Sequence, residues 1–243
     1  MKKTLLSLIL LIQLSFSATP EQVAQYIMLS EADHELIEMS QIIEEIIPPN
    51  SAKSTAIISI RFNEYLTKNF TEDEMDELIK LYKNPLLEVL RELDYKIPIE
   101  ELQEFNLSIQ KSPLSKKHLD LNKKIIINMF DEEDLKNIRY GLQEKVSEVF
   151  GGEQESDLIT KEEEEILLQK MREELTLPLL YATQTLSMKE LTELYELTNK
   201  SILKKANKVV IKGRMYTIEY FLKDILSSVM NHSMSHLGIK EGV

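Results

Sequence analysis

The segment Met230–Gly238, near the C-terminus, has the residue types of a soft-metal site. His232 and His236 are four residues apart, and Met230 and Met234 repeat that spacing. On a helix each pair lies on one face, and in an extended chain all four side chains point to the same side. Imidazole and thioether groups suit copper(I), and imidazole also suits zinc. The alternative is a C-terminal helix that frays, with these residues there by chance.

A second group of metal-ligand types lies in the segment Glu31–Glu38. His34 follows Glu31 by three residues and precedes Glu38 by four, so an imidazole and carboxylates can share one helix face. A di-iron bundle needs a matching Glu-x-x-His on another helix, and the sequence has none. The letters HELIE also lack the second histidine of the zinc-protease motif. These absences favour a charged helix face in solvent.

Other patterns that carry chemistry are missing from the sequence. The chain has no cysteine, which excludes disulfides, thiolate metal sites and cysteine nucleophiles. It has no glycine-rich nucleotide-binding motif, no phosphate-binding loop and no G-x-S-x-G nucleophile motif. We therefore predict a protein that is not an enzyme and has no cofactor besides the copper or zinc considered above. A hydrolase site assembled from dispersed residues is the remote alternative.

The charge of the chain restricts its partners. The formal net charge is −12 at pH 7. A protein this acidic repels phosphate backbones and anionic lipid headgroups. We therefore expect neither a nucleic acid nor an acidic membrane surface as a partner.

The first 17 residues have the pattern of a secretory signal peptide. A basic start, Met1-Lys2-Lys3, precedes the apolar run Thr4–Phe16. As a helix this run extends about 20 Å, which is too short for a hydrocarbon core of about 30 Å. The small residues Ser15 and Ser17 suit cleavage before Ala18. We expect an exported protein, periplasmic or extracellular, with no membrane span in the mature chain; the alternative is an uncleaved anchor.

The mature sequence has the composition and helix-start signals of an all-α protein. Gly (6) and Pro (7) are rare, which disfavours the tight turns of β-sandwiches and barrels. Capping residues followed by Gln, Glu or Asp three positions later predict helix starts at Thr19, Thr71, Asp131, Thr160 and Ser187. We predict a multi-helix bundle with helices near 20–29, 31–47, 52–69, 72–83, 85–93, 100–110, 115–128, 132–149, 160–176, 178–186, 188–207 and 215–230.

The stretch 209–218 fits two local structures. Its β-branched residues flank Lys212-Gly213, a pattern typical of a small hairpin. An isolated hairpin is only marginally stable, so a helix broken at Gly213 is the favoured prediction.

Two segments of the chain resemble each other. Residues 65–91 align with residues 181–207, and their capping signals and apolar stripes coincide. The identical pairs are Tyr65/Tyr181, Thr67/Thr183, Glu74/Glu190, Glu77/Glu193, Leu78/Leu194, Leu81/Leu197 and Leu87/Leu203. This predicts a duplicated helical unit, although any two capped amphipathic helices share such features. The predicted organisation is a signal peptide at 1–17, a first repeat at 18–98, a helical connector at 99–150 and a second repeat with a C-terminal tail at 151–243.

The first segment also resembles a known family. Phe70–Pro85, with the letters FTEDEMDELIKLYKNP, has a capping Thr71, paired acidic and apolar positions, the aromatic Tyr82 and a break at Asn84-Pro85. This pattern is similar to the core motif of exported bacterial helical proteins called domain of unknown function 2059 (DUF2059). The resemblance covers two segments of under thirty residues and implies an exported helical protein.

Both segments depart from the family pattern. Leu87 and Leu203 stand where the family favours glycine, and Ser201 stands at the position of Pro85. The family has no established activity, so the resemblance implies no chemistry, and the matching residues look structural.

These observations predict a non-catalytic binding or interaction module of the cell envelope. Its expected partner is another envelope protein or a peptide. An apolar groove between the repeats would favour this function. Convergence of the C-terminal histidines with His34 or His118 would favour the soft-metal protein. A polar cleft with a raised-pKa carboxylate or a Ser–His contact would favour an enzyme.

Overall fold

The computed structural model describes residues 17–46, 54–91, 97–151 and 159–236. Within these ranges the chain forms α-helices and no strand, so the prediction of an all-α multi-helix bundle is confirmed. The helices are α1 (Pro20–Ser30), α2 (His34–Ile46), α3 (Ser54–Asn69), α4 (Glu72–Tyr82), α5 (Glu88–Arg91), α6 (Ile99–Lys111), α7 (Lys116–Met129), α8 (Glu132–Phe150), α9 (Lys161–Ala182), α10 (Met188–Thr198) and α11 (Ser201–His236). A short 3-10 turn, Pro85–Leu87, precedes α5.

The predicted helix caps are confirmed. At each one the capping side chain accepts a hydrogen bond from the backbone three residues on, and the side chain at that position accepts one from the cap's own N–H. The five capping residues are Thr19, Thr71, Asp131, Thr160 and Ser187. These reciprocal bonds satisfy backbone donors that a helix start would otherwise leave unpaired.

The prediction for residues 188–230 is wrong in its boundaries. The helix predicted to reach residue 207 ends at Thr198, and α11 begins at Ser201 and continues without interruption through Gly213. Residues 209–218 therefore form neither a hairpin nor a break. At Gly213 the helix α11 crosses α3, and a Cβ atom there would lie 2.9 Å from a ring carbon of Tyr65 and 3.1 Å from one of Phe62. The glycine permits a close crossing of two helices.

The predicted break before Pro178 is also wrong. Pro178 lies inside the continuous helix α9. Proline removes one helical hydrogen bond and crowds the preceding turn, which is destabilising in an isolated helix. Here Leu179 and Leu180, which follow it, are buried, and their packing outweighs the local loss.

One continuous cluster of buried apolar side chains forms the core. Helix α1 packs against α3 and α4, while α7 packs against α9 and α10. The long helix α11 crosses both α3 and α8 and so joins the two groups. The largest fully buried side chains include Tyr26, Phe62, Phe221, Leu36, Ile58 and Leu66.

The two similar sequence segments have matched surroundings. Helices α4 and α10 each have 11 residues and each follow a reciprocal cap. Each packs against the first helix of its own group, α4 on α1 and α10 on α7. Helices α7 and α8 fall within the predicted connector, yet they pack against α9, α10 and α11.

Candidate binding cavity

A cavity of about 340 Å³ lies between the two groups of helices. Residues of α1, α2, α4 and α5 line one side, and residues of α7 to α11 line the other. This volume is at the lower end of the range for small-molecule sites. Glu35 and Ile138 line the cavity and are exposed, so it opens to solvent.

Most of the cavity wall is apolar. Helix α11 lies along it because its apolar residues recur at helical spacing and face the junction of the two groups. Asn207 and Thr198 also line the cavity, but Asn207 Nδ2 donates to the carbonyl of Met129 at 3.1 Å and Thr198 Oγ1 donates to a backbone carbonyl of its own helix. The apolar lining includes Leu87, Leu90, Phe130, Leu175, Leu203 and Val210.

The polar groups of the cavity converge at the corner between α1 and α2. Ser30 and Ala32 line the cavity at this corner, on either side of Glu31. Glu31 ends α1 in the left-handed backbone conformation, with φ of 55°. That conformation is strained for a residue with a Cβ atom. The strained turn places both neighbours on the wall.

Two arginines from distant parts of the chain meet this corner. Arg214 Nε donates to the carbonyl of Ala32 at 3.0 Å, and its Nη1 lies 2.7 Å from Glu35. The Arg214 side chain is only 12% exposed. Arg91 Nη1 lies 3.4 Å from Glu31, and its Nη2 pairs with a carboxylate on its own helix. The cavity therefore has an apolar body and one polar end.

Two polar atoms of the turn between α1 and α2 are unsatisfied, and one of them, Ser30 Oγ, belongs to a residue of the cavity lining. Ser30 Oγ is buried and has no hydrogen-bond partner among the described residues, and neither has Glu31 Oε2. Ser30 as a whole is 7% exposed. An unpaired buried polar atom costs about 1–3 kcal/mol, so such atoms call for a physical account. A bound group that supplies the missing hydrogen bonds would provide one.

A buried polar network links α7 to α9. Thr183 Oγ1 lies 2.9 Å from Asn122 Oδ1, 2.8 Å from the carbonyl of Leu179 and 3.5 Å from His118 Nε2. Burial lowers the pKa of His118. The contact joins a hydroxyl to a histidine, with threonine in place of the serine of the Ser–His contact that would favour an enzyme. Thr183 and Asn122 are both fully buried, however, so a substrate cannot reach the hydroxyl, and the contact is a packing feature.

A carboxyl group with a raised pKa lies at the start of α8. Burial, with a contribution from the nearby carboxylate of Asp131, raises the pKa of Asp134 to about 6. Asp134 Oδ2 accepts a hydrogen bond from the backbone N–H of Asp131, and Oδ1 is buried without a partner. Asp134 does not line the cavity described above. It acts as the second member of a helix cap.

One of the two predicted groups of metal ligands, Glu31–Glu38, lies among the described residues. His34 Nε2 lies 3.5 Å from Glu38 Oε1 on one helix face. Among the side chains that the structure describes, no three His, Asp or Glu residues are grouped so as to hold a metal ion. The side chains of Met230, His232, Met234 and His236 lie outside the described residues, so that copper or zinc site stays a prediction. The backbone there is helical through His236.

No local sequence pattern identifies the polar residues of the cavity. Ser30, Arg91 and Arg214 belong to no motif, and they come together only through the packing of three helices. One signal was present: Arg214 is a lone arginine in the apolar face of a long helix. A charged residue in such a place is rarely buried unless it is paired.

Comparison with known proteins gives no match. No protein family model, no curated protein and no solved structure is significantly similar to this chain. Among the described residues, no helix combines the length and the apolar character needed to cross a membrane.

Proposed function

We propose that the protein is a non-catalytic binding module of the cell envelope. The cavity between the two helix groups supports this proposal, because it joins an apolar body to one polar end where the hydroxyl of Ser30 is unsatisfied. The expected partner, an envelope protein or a peptide, would place an apolar group inside it. Ile138, which lines the cavity, begins an exposed apolar stripe on α8 that continues through Leu142 and Val146. This stripe offers further surface to a partner.

The proposed location outside the cytoplasm rests on the N-terminal sequence, with cleavage before Ala18. Ala18 is buried, and its backbone N–H donates to the carbonyl of Phe70 at 2.9 Å. The start of the proposed mature chain is thus docked on the bundle. We expect protein purified from the periplasm or medium of an expressing bacterium to begin at Ala18 by intact mass and N-terminal sequencing. A product that retains the apolar run Thr4–Phe16 would contradict this.

We further propose that the bundle arose by duplication of a five-helix unit. One copy comprises α1 to α5 and the other α7 to α11, with α6 between them. Matched lengths and caps of α4 and α10, and their matched packing on α1 and α7, support this division. This division assigns α7 and α8 to the second copy and not to the predicted connector. The cavity then lies at the junction of the two copies. Together with the DUF2059 resemblance, it supports a helical binding protein.

Filling the cavity tests the proposed function. N-phenyl-1-naphthylamine is an uncharged apolar dye whose fluorescence rises in apolar surroundings. We expect it to bind the wild-type protein and to bind Val210→Phe at least tenfold more weakly, because Val210 lines the cavity and the larger ring occupies it. The measurement is a fluorescence titration, with circular dichroism to show that the variant keeps its helices.

Ile127→Phe is the matched control, since an aliphatic side chain is again replaced by phenylalanine, at an exposed position outside the cavity lining and the α8 stripe. It should bind the dye like the wild type. Equal binding by all three proteins, or no binding by the wild type, would remove the proposal. Leu90→Phe, at a second lining position, keeps the test decisive if Val210→Phe fails to fold.

A further inference from the structure

We infer that the cavity binds an apolar ligand through an uncharged amide group, held at the corner of Ser30 and Arg214. This inference rests on the proposed function, because it assigns ligand chemistry to the same cavity. It follows from the hydrogen-bond donors and acceptors at the polar corner and from the charged groups that are already paired there.

The apolar wall determines the body of the ligand. The cavity volume of about 340 Å³ suits a small molecule or one short segment of a larger ligand. The side chains that line it away from the corner are mostly aliphatic or aromatic. A ligand with an apolar body therefore matches the space.

Arg214 supplies hydrogen-bond donors. Its Nε and Nη1 are engaged with the Ala32 carbonyl and the Glu35 carboxylate. The side chain is mostly buried and lines the cavity. A guanidinium carries five N–H groups, so N–H groups beyond these two contacts can donate to a carbonyl or carboxylate oxygen of the ligand.

The same corner also holds an unpaired hydroxyl. Ser30 Oγ lines the cavity and is buried without a partner among the described residues. Its oxygen can accept a hydrogen bond from an N–H group of the ligand. A head that matches both Ser30 and Arg214 therefore donates as well as accepts. An amide does both on adjacent atoms, whereas a carboxylate cannot donate and an ammonium cannot accept.

The charge balance at the corner favours an uncharged head. The guanidiniums of Arg91 and Arg214 are paired with the carboxylates of Glu31, Glu35 and Glu88. The pKa of nearby Asp33 is raised by burial. A ligand carboxylate would add negative charge where carboxylates already outnumber guanidiniums, and an ammonium would lie against two guanidiniums. A carboxylate or an ammonium group would lose its hydration at this corner without meeting an unpaired group of opposite charge.

Two sources can supply this chemistry. One is a fatty acyl amide, and the other is a peptide bond flanked by apolar side chains. Both present an uncharged amide beside an aliphatic group, and the experiment separates them by including one compound of each kind.

Displacement of N-phenyl-1-naphthylamine by small ligands tests the inference. Octanamide, octanoate and octylammonium have the same chain and differ in the head, while N-acetyl-leucyl-leucine amide represents the peptide source. We expect octanamide to bind at least fivefold more tightly than either charged compound. If the dileucine amide binds more tightly than octanamide, the source is a peptide; if it binds more weakly, the source is an acyl amide.

Ser30→Ala tests the position of the head. It should weaken octanamide about threefold to tenfold, the value of one net hydrogen bond, and leave dye binding unchanged. Ser112→Ala, at an exposed serine away from the cavity, should change neither.

The outcomes separate this inference from the proposed function. If octanoate or octylammonium binds as tightly as octanamide, or if Ser30→Ala has no effect on octanamide, the inference is overturned while the binding function stands. If the dye itself does not bind, or Val210→Phe does not reduce its binding, the proposed function falls and the inference falls with it.

Discussion

Gly213→Ala is expected to lower the free energy of unfolding by about 1–3 kcal/mol, although alanine favours helix over glycine by about 1 kcal/mol. The added Cβ would lie 2.9 Å from a ring carbon of Tyr65 and 3.1 Å from one of Phe62. The Phe62 ring is fully buried, and the Tyr65 ring packs on Tyr216 with centroids 5.3 Å apart. Neither ring can move without opening the crossing of α3 and α11.

Gly141→Ala is the matched control for this prediction. Gly141 also lies inside a helix, α8, and its new Cβ would meet Met215 Sδ at 2.6 Å. Met215 borders the cavity, and a flexible thioether side chain can turn into that space. We expect Gly141→Ala to stay within about 1 kcal/mol of wild type in urea unfolding. If Gly141→Ala lowers the free energy of unfolding more than Gly213→Ala does, the close contact at Gly213 is not rigid.

Local signals explain which parts of the fold could be predicted. A cap such as Thr71 with Glu74 involves residues within one helical turn, so the sequence pattern alone identifies the helix start. The break between α10 and α11 carries no proline or glycine, and the predicted helix ran through it. Gly213 was interpreted as a local breaker, whereas its role is set by Phe62, which is distant in sequence. Contacts between distant residues leave no periodic signal.

The candidate site could not be predicted for the same reason. Its polar corner combines the end of α1, Arg91 of α5 and Arg214 of α11, and no local motif connects these three elements. An apolar groove between the repeats entered the sequence analysis only as the observation that would favour an interaction module. Its general position follows from amphipathic helices in two similar groups, which meet along a shared face. Which residues remain unsatisfied at that face depends on the backbone turn at Glu31.

Asp134→Asn is expected to stabilise the protein at neutral pH. Asp134 is 2% exposed, and its pKa of about 6 in the native state compares with an ordinary value of 3.8. Between these values the native state holds a proton that the unfolded state has released. The contribution of this group to stability is therefore fully present below about pH 3.8 and is lost as the pH rises through about 6.

The expected gain is about 1–2 kcal/mol at pH 7.5, because a pKa shift of about two units corresponds to at most roughly 3 kcal/mol and the native structure relaxes around a charge. Asparagine resembles the protonated acid and can still accept from the Asp131 N–H. The difference between variant and wild type should shrink as the pH is lowered through about 6 and approach zero only below about pH 3.8. The groups that face Asp134 are Asp131, which raises its pKa, and Lys208 of α11, which lowers it.

The pH profile must be measured as a difference between proteins, because His118 titrates in the same range with the opposite sign. Burial lowers the pKa of His118, so the unfolded state takes up its proton first and acidification below about 6.5 destabilises the native state. His118 is present in both proteins and cancels in the comparison.

Glu190→Gln is the control for the cap itself, since Glu190 holds the equivalent capping position in α10 but is exposed. Hydrogen bonds from Ser187 lower the pKa of Glu190, so removal of this charge should destabilise the protein at neutral pH. Opposite signs in the two variants would show that burial, and not the capping position, governs Asp134. If Asp134→Asn lowers stability at pH 7.5 as Glu190→Gln does, then the Asp134 carboxylate is stabilising in the native state and its pKa is not raised.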